Sequence, residues 1–505
     1  MASEGRLRIG PLAISPGALL GGTLLAGRLS GLLREIQLAS AFGVSVESDV
    51  AILLLTLPDL LVNLLLSGGL SAALIPRLRT LPASDSQILL RQTTWLVSIF
   101  FGLLAIFLGL APEFFFALLA PGLKSDSMPA TAAIAMTALA IPLAAVSGVT
   151  SAGLNARQQF FVAGCGTFIF NTAVIISLVL ARFDFENSLV LLGLGIAAGA
   201  AFRLISQAIS LPRGWLWGPI GGAALDMKFI RSFMTTAFTA SIVLLVPVII
   251  RSIASTVSPG AISAINYATK LVELPAGVLV TSLATVALSQ LSGYYATHDK
   301  LGARQVLNDS VRRAISNAIG AGAVIAYFSH AFVELALARG AMSPDAIARV
   351  VCLTQVMMIG LPFLALAGLA VADLNAREQP LIVLKATLGS LLALPVFALP
   401  GLWFKSELML AWAVVGFQAL YALWVGYTSG LLKAGGWGWC NRKLVTSILI
   451  IAVIVAVAVL IDLWLKSSQM STGLMQSALG VVALGAVVFF PHHLLANIQN
   501  LGKQP

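Results

Sequence analysis

Apolar residues run through this chain in stretches of about 20, parted by short polar segments, from one end to the other. A helical stretch of that length crosses a hydrocarbon core of ~30 Å. The runs predict about fourteen transmembrane helices, over roughly 12–41, 48–76, 91–112, 129–154, 160–181, 188–211, 230–252, 259–291, 313–338, 350–373, 380–400, 408–431, 444–465 and 472–494. No ten-residue alternation of the β-barrel kind occurs, so the expected fold class is an all-α membrane protein. The first, second and eighth runs exceed the length needed, and each contains proline or several glycines: Pro16, Gly17, Gly21, Gly22, Gly27 and Gly31, then Pro58, then Pro275. Such helices are expected to be tilted, bent or broken, which lipid tolerates mostly where they line a cavity. Arg6 and Arg8 ahead of the first run imitate a signal peptide. That run continues to about Leu33 without a small-x-small cleavage site, and it is expected to stay as a helix.

Composition supports the same solvent. Of the 505 residues, 59% are hydrophobic and only 10% charged, with a mean hydropathy of +0.97. A soluble domain carries roughly 25% charge to wet its surface. Three scattered cysteines (Cys165, Cys352 and Cys440) and four histidines, including His492 and His493, form neither a disulfide framework nor a zinc pattern. The net charge of +10 is dispersed through short loops, which argues against nucleic acid. With the N-terminus in the cytoplasm, about 19 of the 30 basic residues fall inside, among them Arg77, Arg79, Arg91, Arg304, Arg312, Arg313, Arg442 and Lys443. About six fall outside: Lys124, Arg182, Arg339, Arg349, Lys405 and Lys466. That bias predicts both termini inside.

The chain also repeats itself. Leu154-Asn155-Ala156-Arg157-Gln158-Gln159 returns 220 residues later as Leu374-Asn375-Ala376-Arg377-Glu378-Gln379, each asparagine 13 residues after a proline, Pro142 or Pro362. Pro58 follows Arg34 by 24 residues, and Pro275 follows Arg251 by the same 24. Six helices separate the copies, an even number, so the two units share one orientation and are related by an axis along the membrane normal. The expected architecture is two six-helix lobes, 1–215 and 216–435, in parallel pseudo-repeat, plus two C-terminal helices in 436–505. Duplicated lobes of this kind suit alternating access around one cavity.

Five basic residues fall within spans: Arg28, Arg34, Arg203, Arg251 and Lys270. Each costs roughly 2.5–3.5 kcal/mol or more at the bilayer centre, so carboxylates or water are expected nearby. Arg28 and Glu35 are two turns apart on one helical face, with Arg34 some 100° around. Lys270 and Glu273, three apart, can pair directly. Asp49 and Asp59 add carboxylates on the second helix. A basic cavity lined by the first, second and eighth helices would take an anion, with phosphate the leading choice. Against this stand blander readings. Arg251 could snorkel to the outer interface, Arg203 could bond backbone carbonyls, and Lys270–Glu273 could be a neutral packing pair. No Walker lysine, Gly-x-Ser-x-Gly elbow or His-Glu-x-x-His occurs. The expectation is a transporter, not an enzyme, with no cofactor or metal, driven by an ion gradient, the membrane potential or substrate flow.

These residues resemble a known family. Gly27-Arg28-Leu29-Ser30-Gly31-Leu32-Leu33-Arg34-Glu35, with Ala41-Phe42-Gly43 and Asp49, is similar to the first-helix signature of the MurJ/MviN lipid II flippases. Leu57-Pro58-Asp59-Leu60, Gly68-Gly69-Leu70-Ser71 and Ile75-Pro76 resemble the second-helix continuation, and Tyr267-Ala268-Thr269-Lys270-Leu271-Val272-Glu273-Leu274-Pro275 the eighth-helix motif. Arg339-Gly340-Ala341, Leu361-Pro362 and Leu374-Asn375-Ala376-Arg377 fit later landmarks. The resemblance implies the fold of the multidrug/oligosaccharidyl-lipid/polysaccharide exporters. It also implies transfer of undecaprenyl-pyrophosphate-linked peptidoglycan precursor across the bacterial inner membrane. By position, Arg28, Arg34 and Lys270 would engage the pyrophosphate, Glu35 and Asp49 would be acidic partners, and Glu273 would accompany Lys270. Arg251 is a further candidate. The last two helices would form a groove for the lipid tail. Expected partners are the lipid-linked glycan, membrane lipids and cell-wall synthesis proteins. The chain departs from the pattern at Lys270 (usually arginine), Thr56 (lysine), Val62-Asn63 (a basic pair) and Ser67 (acidic), and polar residues for a sodium site in the seventh and eleventh helices are not evident. Other readings are a flippase for a different polyprenyl-linked saccharide, a cation-coupled drug exporter on the same scaffold, and a membrane scaffold for wall-synthesis enzymes.

Overall fold

The computed structural model describes residues 8–9, 12–13, 16–67, 70–123, 128–184, 186–221, 227–468 and 472–501. Arg6, Gly68, Gly69 and Lys124 lie outside the described residues. Two antiparallel strands of two residues each, β1 (Arg8–Ile9) and β2 (Leu12–Ala13), precede described residues whose regular structure is otherwise helical. The helices are α1 (Pro16–Phe42), α2 (Val46–Ser67), α3 (Leu70–Thr80), α4 (Ala83–Leu110), α5 (Pro112–Leu119), α6 (Met128–Ala138), α7 (Ala140–Ala156), α8 (Phe160–Ala181), α9 (Ser188–Ser210) and α10 (Met227–Ala254). They continue with α11 (Ala261–Pro275), α12 (Ser282–Ala296), α13 (Lys300–Tyr327), α14 (Ser329–Leu337), α15 (Pro344–Met358), α16 (Leu361–Ala376), α17 (Pro380–Trp403), α18 (Glu407–Thr428), α19 (Arg442–Ser467) and α20 (Gly473–Leu501).

Each of the fourteen predicted stretches is occupied by helix. By length and apolarity, nine helices among the described residues can cross a membrane, or eleven if two bent pairs, α13–α14 and α15–α16, each count as one span. The three remaining stretches hold α1, α2 with α3, and α10. Helix starts follow side-chain chemistry. Asp299 accepts from Gly302 N ahead of α13, Ser343 from Ala346 N with Pro344 opening α15, and Asn441 from Lys443 N and Leu444 N ahead of α19. The long eighth run is irregular as its proline predicts: α11 ends at Pro275 and a π-helical turn, Ala276–Thr281, leads into α12.

By packing, the chain divides into two compact units, Met1–Ile262 and Ser263–Pro505. The division falls one helix beyond the 215/216 repeat boundary, because α10 packs on α2, α3 and α5. One core of the first unit joins Leu74, Leu89, Leu90, Val149, Leu154 and Leu211. A core of the second joins Leu307, Val311, Leu361, Leu369, Leu374 and Val425.

The repeated motif has the same backbone in both units. Gln158 (φ 62°) and Glu378 (φ 57°) each take a left-handed conformation just past a helix end. Gln159 N then reaches Leu154 O at 2.9 Å, and Gln379 N reaches Leu374 O at 2.9 Å. A second correspondence has no counterpart in the sequence reading. In the first unit Arg91 of α4 donates to the carbonyls of Gly214 and Pro219, the latter at 3.1 Å, in the loop after α9. In the second, Arg304 of α13 donates to Gly430 O at 3.0 Å and Gly436 O at 2.8 Å, in the loop after α18. Gly214 and Gly430 both have φ near +80°, which any side chain would strain.

Candidate functional site

The polar centre of the first unit is built where α1 meets α8. Both helices thin their facing surfaces: a Cβ on Gly164 would lie 2.2 Å from Thr23 Oγ1, and one on Gly27 would lie 3.4 Å from Thr167 Cβ. Small residues let apolar helices approach closely in lipid, and polar side chains then bond across the seam. Asn171 of α8 does so, donating to Ser30 Oγ at 3.0 Å and Gly27 O at 3.3 Å and accepting from Arg34 Nη1 at 3.2 Å.

Arg34 is buried and heavily bonded. Its Nη2 meets Asp59 Oδ2 at 3.0 Å and Glu35 Oε1 at 2.9 Å, and Nη1 reaches Asp59 Oδ1 at 3.4 Å. Glu35, also buried, therefore bonds Arg34, its chain neighbour, although helical phase pointed it toward Arg28. Two turns of helix, ~11 Å, part Arg28 from Glu35. Arg28 is exposed, on the same uncovered face of α1 as Leu25, Leu29 and Leu33, and makes no hydrogen bond or ion pair among the described residues.

The other positions are placed as follows. Asp49, fully buried in the first turn of α2, accepts from Gly260 N at 2.9 Å. Arg251 of α10 donates from Nη1 to Thr56 Oγ1 at 2.7 Å, reaching into the protein instead of along its surface. Arg203 of α9 is buried across Gly166, and its Nε and Nη2 have no hydrogen-bond partner, so the backbone carbonyls expected for them are absent. In the second unit, Lys270 Nζ pairs with Glu273 Oε2 at 2.8 Å, both partly exposed, one turn ahead of the π-helical turn.

The chain matches the family model described as lipid II flippase MurJ over residues 38–482. It belongs to the MurJ family. The matched range opens just after Arg28, Arg34 and Glu35. The probable lipid II flippase of Rhizobium meliloti is 24% identical over 372 residues, covering 70% of this chain and 68% of that one. The lipid II flippase of Burkholderia cenocepacia is 26% identical over 280 residues, 52% of this chain and 54% of that one. Among solved structures, an inward closed lipid II flippase superposes with a TM-score of 0.80 at 20% identity, over 94% of this chain and 99% of that one. An inward-facing multidrug resistance transporter of the MATE family gives 0.66 at 13% identity, over 82% and 98%. These likenesses show the fold, and with the apolar helices they make the chain a multi-pass membrane protein.

Within this MurJ-family frame, Thr56, where the resemblance led to the expectation of a basic residue, accepts a hydrogen bond from the guanidinium of Arg251 on α10. Two groups escaped the sequence reading. Asn171 is one amide inside an apolar run, and its place in that run was the available signal. Asp373, fully buried on α16, holds Arg377 at 2.6 Å and accepts from Tyr295 Oη at 2.6 Å. Its spacing to Arg377, one helical turn, was legible as a pair.

Proposed function

We propose that this chain is a flippase that moves undecaprenyl-pyrophosphate-linked peptidoglycan precursor, lipid II, from the cytoplasmic to the periplasmic leaflet of the bacterial inner membrane by alternating access. Family membership supports the substrate. The observation that carries the binding role is Arg28, an exposed guanidinium on an apolar helix with no partner among the described residues, beside a neighbour, Arg34, whose Nη1 and Nη2 are taken up by carboxylates and Asn171. Arg28 can therefore offer its planar fork to a phosphate. Arg34, Glu35 and Asp59 hold α1 in place beneath it, and Asp49 ties the start of α2 to Gly260. In the second unit, Lys270 is a candidate phosphate ligand of its own, released by Glu273 when substrate arrives, and in the first unit Arg251 at Thr56 contributes positive potential.

The bias of basic loops supports both termini in the cytoplasm. The repeat supports lobes of 1–215 and 216–435, with 436–505 as an appended pair that receives the lipid tail. Fourteen crossings follow if α1, α2 with α3, and α10 also span. The pyrophosphate is an anion leaving an inside-negative compartment, so the membrane potential favours its export by roughly 2.3 kcal/mol per charge per 100 mV. Cell-wall synthesis proteins are the proposed neighbours.

The test is a leaflet-resolved accessibility assay of lipid II in cells depleted of their own flippase. This chain should restore outward exposure and growth, and the Arg28→Ala variant at equal abundance should restore neither. Full rescue by Arg28→Ala would remove the binding role of Arg28, and no rescue by the unaltered chain would overturn the substrate.

A further inference from the structure

A second polar site lies in the Ser263–Pro505 unit, around the appended helices. Helix α19, whose apolar stretch has the highest mean hydropathy of the candidate spans among the described residues, carries one carboxylate near its end, Asp462, which is 1% exposed. An ionisable group inside such a helix is a functional-site hypothesis by default. Asp462 Oδ2 accepts from Tyr327 Oη at 3.1 Å and from Lys466 Nζ at 2.7 Å, while Oδ1 is buried without a hydrogen-bond partner. Beside it lies a cavity of about 180 Å³, lined by Tyr327, His330, Asp462, Lys466 and Gln476 together with Phe328 and Ala331. The 70° bend between α13 and α14 opens the space, since Tyr327 and His330 stand on either side of it.

The lining selects a ligand. A lone anion would meet a buried carboxylate, and a bare cation would meet the Lys466 ammonium already seated on it. A zwitterion fits. One end supplies the N–H donor that Asp462 Oδ1 lacks, and the other places an anionic group on the half-exposed Lys466 and the exposed His330. Leu463 and Trp464, which follow Asp462 on α19, and Leu474, at the start of α20, are exposed apolar residues on the helices that supply the cavity's lining. We infer that this cavity binds the headgroup of a phospholipid carrying a primary ammonium beside its phosphate, with Asp462 on the ammonium and Lys466 on the phosphate. The site uses neither Arg28 nor Lys270 and does not depend on the flippase reading.

Native mass spectrometry of the full-length detergent-solubilised protein tests this, with phosphatidylethanolamine, phosphatidylcholine and phosphatidylglycerol of matched acyl chains. Phosphatidylcholine keeps the charge but has no N–H donor. Loss of a charge-assisted hydrogen bond predicts retention of phosphatidylethanolamine about tenfold over phosphatidylcholine. Asp462→Asn should erase that preference, and Lys466→Gln should weaken retention of both lipids. Water-soluble phosphoethanolamine should not be retained. Equal retention of phosphatidylethanolamine and phosphatidylcholine by the unaltered protein, strongest retention of phosphatidylglycerol, or an unchanged preference in Asp462→Asn would each overturn the inference. The headgroup comparison on the unaltered protein stands even if a variant fails to fold.

Discussion

Arg34 on α1 and Asp59 on α2 form a two-pronged ion pair, Nη2 to Oδ2 at 3.0 Å and Nη1 to Oδ1 at 3.4 Å, across 25 residues of sequence. The pair joins α1 to α2. Removing one partner of a buried pair leaves the other charge without compensation, at about 3–5 kcal/mol. Asp59 is partly exposed, which puts Arg34→Ala at the lower end, about 3 kcal/mol, with Glu35 losing its partner as well. Thermal unfolding of the purified protein should show a clear fall for Arg34→Ala. The Arg34→Ala/Asp59→Asn double variant should recover part of it. A double variant that simply adds the two losses would mean that the pair is not coupled.

Arg28→Ala separates binding from folding. An exposed side chain without partners among the described residues should change stability by no more than about 0.5 kcal/mol. Unfolding temperature and abundance should match the unaltered protein while lipid II export is lost. Arg28→Lys should keep part of the export, because charge survives and the fork does not.

The Arg251–Thr56 contact predicts an exchange. Thr56→Lys places a second cation against Arg251 and should impair both stability and export. Adding Arg251→Thr should relieve the repulsion and return export toward normal. Failure of the second change to help would show that position 56 does not share its charge with α10.

At the two repeat turns, Gln158 and Glu378 hold left-handed backbones that disfavour a side chain. Gln158→Gly and Glu378→Gly should each raise stability by up to about 1 kcal/mol, the relieved strain exceeding the added freedom of the unfolded chain. A small upward shift in unfolding temperature for each is the expected reading.

Helix positions and the duplication were legible in the sequence because both rest on local signals, namely apolar run length, prolines and a six-letter motif. The partner of each charge was less legible, since side-chain reach and helix rotation decide it. Phase alone set Glu35 toward Arg28, yet Glu35 and Arg34, adjacent in the chain, curl their long side chains together in a buried seam. Arg251 was readable as a snorkelling residue until α10 was seen packed on α2. Asn171 offered only its polarity within an apolar run as a signal, because its importance comes from α8 lying against α1, a contact made by residues more than 130 apart.

The arginine-held glycine loops bear on how the chain is made. Arg91, Gln87 and Gln92 and the loop they grip, from Gly214 to Ile220, all leave the ribosome before any residue of α10. The first half thus carries its own latch and can fasten it while the second half is still being synthesised. Arg304 with Gly430 and Gly436 repeats the arrangement before α19 begins. Insertion into the bilayer can then proceed in two closed stages, each sealed by one arginine before the next set of helices arrives.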